Sequence, residues 1–301
     1  MTSEAHHRGT LRGIGLMMSA VFMFSSMDTL AKYMLQSYPM PGLMWARYTV
    51  QLVFMLLLLW PRMGIRLLKT ARPGLQIARG LLLVASTTFF YLALRHMPLA
   101  EAAAISFVGP VLTTLLAGWM LGERASARQW VAVVLGFSGV LVIVRPGGAL
   151  FTPAAIFPLV TALLFSVYQI VTRKLSGREH PNTTLFYTAL VGGAATTLAL
   201  PLGWQTPTAL QVLFMVGIGL FGGYGHHLLI RAMDHASPAT LAPFVYSQLI
   251  WSTLLAYLVF RDFPDGGSLL GMGIIVAAGL LAVNWKHMRR MTDTSDSASS
   301  H

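Results

Sequence analysis

Residues 93–123 read ALRHMPLAEAAAISFVGPVLTTLLAGWMLGE and residues 232–262 read AMDHASPATLAPFVYSQLIWSTLLAYLVFRD, and the two stretches align at a constant offset of 139. His96 falls on His235, Ala100 on Ala239, the run Thr114 to Ala117 on Thr253 to Ala256, and Glu123 on Asp262. Upstream, Phe24-Ser25 pairs with Phe165-Ser166, Asp28 with Gln169 and Lys32 with Arg173. Apolar helices resemble one another by chance, but ordered matches along both halves argue for an internal repeat.

The composition says where such a repeat resides. Of 301 residues, 55% are hydrophobic and 10% charged, and the mean hydropathy is +0.65. Soluble domains are roughly a quarter charged, so too few polar side chains exist here to cover a water-facing globule. The net charge of +11 does not indicate a nucleic-acid binder, because that needs a solvated basic face. The chain has no cysteine, which excludes disulfides and thiolate metal sites. A membrane is the remaining explanation.

Windows of roughly 20 apolar residues, long enough for a bilayer, occur at about 13–35, 42–60, 77–95, 98–121, 128–145, 152–174, 183–201, 209–231, 237–260 and 268–286. Runs such as Val131 to Val144 do not alternate as strands of a membrane barrel must, so the expected fold is all-α with ten transmembrane helices. The first window contains Asp28 and Lys32 and lacks a small-residue cleavage site, so it reads as a retained helix and not a signal peptide. Cationic side chains collect on cytoplasmic loops. With the N-terminus inside, 16 cations from Arg8 to Arg290, Arg79 among them, fall on the inner side; Arg95, Arg145 and Arg261 fall outside, and Lys32 and Arg47 within spans. Both termini are therefore expected in the cytoplasm of a cell with this chain in its inner membrane. Residues 1–12 and 287–301 have little apolar surface to bury and are expected to be disordered.

Each half, 13–145 and 152–286, holds five spans, and an odd number inserts the second copy upside down relative to the first. Many secondary transporters are built from such inverted repeats, with substrate bound near the midplane between them. The residues carrying a resemblance are Lys32 and Arg173 near the ends of the first helices of the halves, Ala93-Leu94 followed by Pro98, the mid-helix Pro110, and Leu121-Gly122-Glu123. On these the chain resembles the EamA-type exporters of the drug/metabolite transporter superfamily over about residues 12–286. The second copy departs, with Phe260-Arg261-Asp262 and no proline opposite Pro110. The resemblance implies alternating-access transport of small organic solutes, often amino acids and other metabolites.

Ionisable groups inside a bilayer mark functional positions or internal pairs. Asp28 and Lys32 share one helix face, and Asp28 lies roughly 10 Å from the helix end. Arg47 and Glu101 enter from the same side. Together with His226, these four are candidates for gating or coupling, against the simpler reading of ion pairs that tie helices together. Adjacent side chains on a helix point about 100° apart, so His226 and His227 cannot both ligate one metal; one faces a cavity and the other packs. No cofactor motif is present. Pro110 and Pro243 each free a backbone carbonyl within a span. The candidate substrate-binding set is Phe24, Ser25, Asp28, Phe90, Tyr91, Ser106, Phe107, Pro110, Tyr168, Gln169, Tyr224, His227, Tyr246, Gln248 and Trp251. Such rings with sparse polar anchors suit a neutral or aromatic small solute and, lacking a deep cationic cluster, suit a polyanion poorly.

The expected function is export of small metabolites, amino acids first with a lean to neutral or aromatic ones, the partners being that solute and membrane lipids. The alternatives are uptake or exchange of a nucleoside-like or vitamin-like metabolite, and a polytopic enzyme acting on a lipid-linked substrate. The enzyme reading requires a clustered acidic metal site or a nucleophile with its base, and the carboxylates are dispersed.

Overall fold

In the computed structural model, which describes residues 2–121, 127–145, 147–175, 178–236 and 238–282, the chain is helical, and no strand occurs among the described residues. Twelve helices follow in order: α1 Thr2–Met34, α2 Met40–Met63, α3 Pro73–His96, α4 Leu99–Ser106, α5 Gly109–Leu121, α6 Ala127–Val144, α7 Ile156–Leu175, α8 Pro181–Ala199, α9 Ala209–Met233, α10 Pro238–Val245, α11 Ser247–Phe260 and α12 Gly266–Ala282. Local sequence sets many of these boundaries. Pro73 and Pro181 occupy first helical positions, where the missing N–H costs nothing. Thr208 and Gln211 form a reciprocal capping box at the start of α9. Arg261, in the left-handed conformation at φ 60°, stops α11.

Among the described residues, eight helical segments are long and apolar enough to cross a membrane, and two shorter apolar helices, Trp130–Val144 and Gly266–Leu281, lie within α6 and α12. Leu57, Leu198, Leu213 and Ile250 are each more than 60% exposed, a pattern natural for side chains that meet lipid. This is an all-helical, multi-pass integral membrane protein.

Two spans are broken at mid-depth. The α4–α5 span breaks at Phe107-Val108 and the α10–α11 span at Tyr246, and these are positions that the sequence alignment pairs. The break was expected at Pro110, whose ring prevents the preceding turn from closing. The second break comes without a proline at the corresponding position; Pro243 inside α10 removes a backbone donor one turn earlier. A second difference concerns residues 2–12, expected to be disordered, which continue α1 as helix. That segment contains no proline to stop the helix, and each added residue extends an existing helix without the cost of a new nucleus. Residues 287–301, and the Gly122-Glu123 end of the fourth-span motif, lie outside the described residues.

Eight segments form a ring in the order α1, α9, α2, α8, α3, α7, the α4–α5 span and α11, which returns to α1, while α6 and α12 pack on each other against the broken spans. Glycines permit the closest approaches. A side chain at Gly219 would meet Val50 and one at Gly223 would meet Phe54 on α2, while one at Gly192 would meet the Tyr48 ring. The Gly219–Gly223 spacing thus serves packing within the chain.

Candidate functional site

Several polar side chains are buried among the helices of the ring. Asp28 on α1 is 6% exposed, Arg47 and Gln51 on α2 are 7% and 2%, and Tyr91 on α3 is fully buried. Gln51 follows Arg47 by four residues and shares its face. The Arg47 guanidinium lies over the rings of Tyr48 and Tyr91, at 5.4 and 5.8 Å from their centres. Tyr48 is held by a 2.9 Å hydrogen bond between its hydroxyl and Thr87. Asp28 and Arg47 sense each other's charge, yet no ion pair within 4 Å joins them among the described residues. Arg47 Nε, Gln51 Nε2 and the Tyr91 hydroxyl are buried with no hydrogen-bond partner.

On α9, Gly222 packs against Met27 and Gln51, and Gly225 against Phe24. The same helix face carries His226, whose ring meets Phe24 at 4.9 Å in an edge-on contact. His227 instead stacks with Tyr224 at 6.3 Å, and Tyr224 is 46% exposed on the outward stripe with Leu213 and Leu220. His227 and Tyr224, expected at the substrate, therefore pack on each other on α9, and His226 is the histidine that packs against α1.

The broken spans are tied to the helices beside them by matching hydrogen bonds. Ser25 on α1 donates to the Gln248 carbonyl at 3.3 Å, and Ser166 on α7 donates to the Gly109 carbonyl at 2.8 Å. The alignment pairs both the serines and the acceptors. Ser25 and Gln248 thus meet at a break, where Gln248 offers its backbone oxygen. Phe107 and Tyr246 touch each other at 5.4 Å, with the Tyr246 hydroxyl directed at Gly279 on α12, away from Asp28 and Arg47. Ser106 returns its hydroxyl to the Ala102 carbonyl and reaches the Pro158 carbonyl. Phe90 packs in the main core beside Phe107. Trp251 meets Phe22 at 5.0 Å, between α1 and α11. Gln169 and Pro110 are exposed, because each sits one position off the buried face of its helix.

Arg79 was missed. Counted with the inner loops by its place near the start of a span, it is 5% exposed and donates to Thr172 Oγ1 at 2.7 Å, the Thr184 carbonyl at 2.8 Å, Thr188 Oγ1, and the Tyr168 hydroxyl at 2.6 Å. Tyr168 also presents its ring face at 4.6 Å. Tyr168 thus serves Arg79. The sequence signal was the hydroxyl-rich Thr183-Thr184 and Thr188 run on α8.

Lys32 donates to the Met97 carbonyl at 2.9 Å, where the chain turns from α3 to α4, and lies over the Phe260 ring at 5.3 Å. It borders a cavity of about 470 Å³ with Arg95, Pro98 and Asp262. Glu101, with Oε2 unpartnered, borders a neighbouring one of about 210 Å³ beside Arg145, Asp265 and Ser268. Lys32 and Glu101 stand at one end of the bundle, where Tyr38 also donates to the Gln205 carbonyl. Burial raises the Tyr38 hydroxyl pKa. Asp265 is held below the usual carboxylate range by the Ser268 backbone N–H and by Arg145.

A multi-pass helical ring with ionisable groups buried inside it is the architecture of a membrane transporter, and the comparisons with known proteins show that class. The sequence pattern of the EamA-like transporter family matches residues 11–145 and again 152–284, and the chain belongs to that family. It is 32% identical to an S-adenosylmethionine uptake transporter of Rickettsia bellii, over 73% of this chain and 76% of that one. It is 28% identical to a riboflavin transporter of Vibrio cholerae, over 94% and 96%, and 26% identical to a pseudopaline exporter of Pseudomonas aeruginosa, over 90% and 95%. These relatives are transporters, and this chain is a transporter and not an enzyme. A solved crystal structure superposes with a TM-score of 0.66 at 22% identity, over 95% of this chain and 99% of that one, which shows a shared fold.

Proposed function

We propose that the chain crosses the cell inner membrane ten times as two inverted five-helix repeats, 13–145 and 152–286, with both termini cytoplasmic, and moves an amino-acid-bearing metabolite by alternating access. The double family match, the aligned breaks at Phe107 and Tyr246, and the paired Ser25 and Ser166 hydrogen bonds support the repeat. One observation carries the substrate reading: Asp28 and Arg47, opposite in charge, lie more than nine-tenths buried within one ring of helices without forming a contact pair. Buried charges are held in place only when they are paired or given a partner. A zwitterionic head group supplies one to each. The relatives are named for uptake and for export alike, so the proposal concerns chemistry and mechanism, with export of neutral or aromatic amino acids its simplest form.

A second reading, transport of a nucleoside-like or vitamin-like ring, is favoured by the Phe24–His226 pair between α1 and α9 and by the riboflavin and S-adenosylmethionine relatives. Flux into proteoliposomes decides between them. Counterflow is expected for an amino acid or for S-adenosylmethionine, and reduced at least tenfold in Asp28→Asn. Flux confined to riboflavin, unaffected by that substitution, defeats the amino-acid reading.

A further inference from the structure

Two arginines are buried within the ring, and they are furnished in opposite ways. Arg79 has four oxygen acceptors for its five N–H donors and an aromatic face besides, the coordination of a guanidinium that serves to join α3, α7 and α8. Arg47, at similar burial, lies against the Tyr48 and Tyr91 rings with the Tyr91 hydroxyl oxygen within its reach, and its Nε is without an acceptor. One helical turn along α2, Gln51 Nε2 is equally without one, and the Tyr91 hydroxyl, on the ring stacked against Arg47, makes a third.

Nearly all buried polar groups in native proteins are hydrogen-bonded, and each exception costs about 1–3 kcal/mol. Three side-chain donors left without acceptors around one guanidinium therefore describe a site built for an acceptor that comes from outside the chain. Chemistry narrows which one. Gln51 lies one turn from Arg47 on the same face of α2 and Tyr91 lies against the Arg47 guanidinium, so the three donors are neighbours; a carboxylate is acceptor-only, with two oxygens and about four lone-pair positions, and its pairing with arginine is the strong, charge-assisted kind. A phosphate group brings nearly two negative charges to a locus with a single cation and with Asp28 close by, so its charge is poorly matched. The locus is held in shape by its support: Tyr48 is fixed by Thr87 and backed by Gly192.

We infer that Arg47, Gln51 and Tyr91 form a carboxylate-binding subsite, with Asp28 set to receive the ammonium group of the same substrate. The inference rests on the transport reading above and deepens it: the protein selects its cargo by a free carboxylate and tolerates variation in the remainder.

The test uses the purified full chain, with binding followed by thermal shift and flux measured in proteoliposomes. The probes are L-phenylalanine, L-tryptophan and L-methionine, each with its methyl ester and its decarboxylated amine, together with S-adenosylmethionine and riboflavin. At least one free acid is expected to bind, with affinity falling about tenfold or more in its ester and amine for each charge-assisted bond lost. Tyr91→Phe is expected to narrow the acid-to-ester ratio while leaving the ligand-free thermal midpoint unchanged or higher, since it deletes an unpartnered hydroxyl. A group with a merely structural role would lower that midpoint. Arg47→Gln is expected to abolish the ratio. Equal affinity for acid and ester, or flux of a carboxylate-free probe that neither variant alters, overturns the subsite and leaves the transporter standing. Absence of flux for every probe removes the substrate reading and the subsite with it.

Discussion

Arg79 provides the sharpest test of the packing argument, because its partners differ in what they retain when it is gone. The Thr172 hydroxyl also donates to the Tyr168 carbonyl at 2.7 Å and the Thr188 hydroxyl to the Thr184 carbonyl at 2.9 Å. Those two threonines, and the Thr184 carbonyl, therefore keep a bond in any Arg79 variant. Only the Tyr168 hydroxyl is left with nothing. Arg79→Met roughly fills the volume, so its cost reduces to one orphaned hydroxyl and the lost charge-assisted bonds, set against the desolvation that the guanidinium no longer suffers, a net destabilisation of about 1–3 kcal/mol. Arg79→Ala adds an unfilled cavity between three helices and is expected to lose about 2 kcal/mol more. Arg79→Lys does not restore the hub, since an ammonium group cannot reproduce the planar fork or the stacking on Tyr168. The decisive comparison is the double variant Arg79→Met with Tyr168→Phe, which removes the orphan and is expected to recover about 1 kcal/mol or more relative to Arg79→Met alone. Equilibrium unfolding in mixed micelles, titrated with a denaturing detergent, measures all four. If Arg79→Met unfolds with the wild-type midpoint, or if Tyr168→Phe worsens it, the account of Arg79 as a satisfied structural hub is wrong.

Ser25→Ala removes the bonds to the Gln248 carbonyl and the Ser252 hydroxyl, and Ser166→Ala those to the Gly109 and Ala162 carbonyls; each is expected to cost about 1–2 kcal/mol, with transport rates falling more than affinity, which initial-rate kinetics separate. Gly192→Val drives a side chain into the Tyr48 ring, so it is expected to displace the ring beneath Arg47 and reduce substrate affinity at least tenfold, read by ligand-induced thermal shift. Asp265 has a folded pKa below its ordinary value of 3.8, so its contribution to stability is present above that value and lost as pH falls through the folded pKa. Asp265→Asn is accordingly expected to lower the thermal midpoint at neutral pH and to converge with the wild type in stronger acid; a constant difference across that range contradicts the assignment.

The helical fold was legible because hydrophobic length, proline placement and the aligned halves all report on the backbone, and each leaves a mark in the linear sequence. The site was legible only where depth in a span was the deciding variable. Asp28 stood out as the deepest charge and Arg47 as a cation a few residues inside its span, and both are buried among the helices of the ring. Rotation about a helix axis was harder to read. Between His226 and His227 glycine spacing does not decide, since Gly222 and Gly223 both pack on neighbouring helices and each precedes one of the histidines by four residues. The ring contacts separate them: His226 meets Phe24 of α1, and His227 stacks on Tyr224 of its own helix. Gln169 and Pro110, also in the expected binding set, are exposed, a matter of rotation that the sequence likewise does not show. Arg79 failed differently, since its acceptors come from α7 and α8, about a hundred residues further along the chain. Charge counting assigns every cation near a span end to water, and only the assembled helices show that Thr172, Thr184, Thr188 and Tyr168 take the place of that water.

The contrast between Arg79 and Arg47 carries a general consequence for reading such a chamber. A buried cation with all its acceptors supplied by the chain has nothing left to offer a solute, however central its position. A buried cation supported by aromatic faces and surrounded by other unpartnered donors is still unsatisfied, and that deficit is available as binding energy. In this protein the second kind is Arg47, and the buried carboxyl group of Asp28 lies within the same ring of helices.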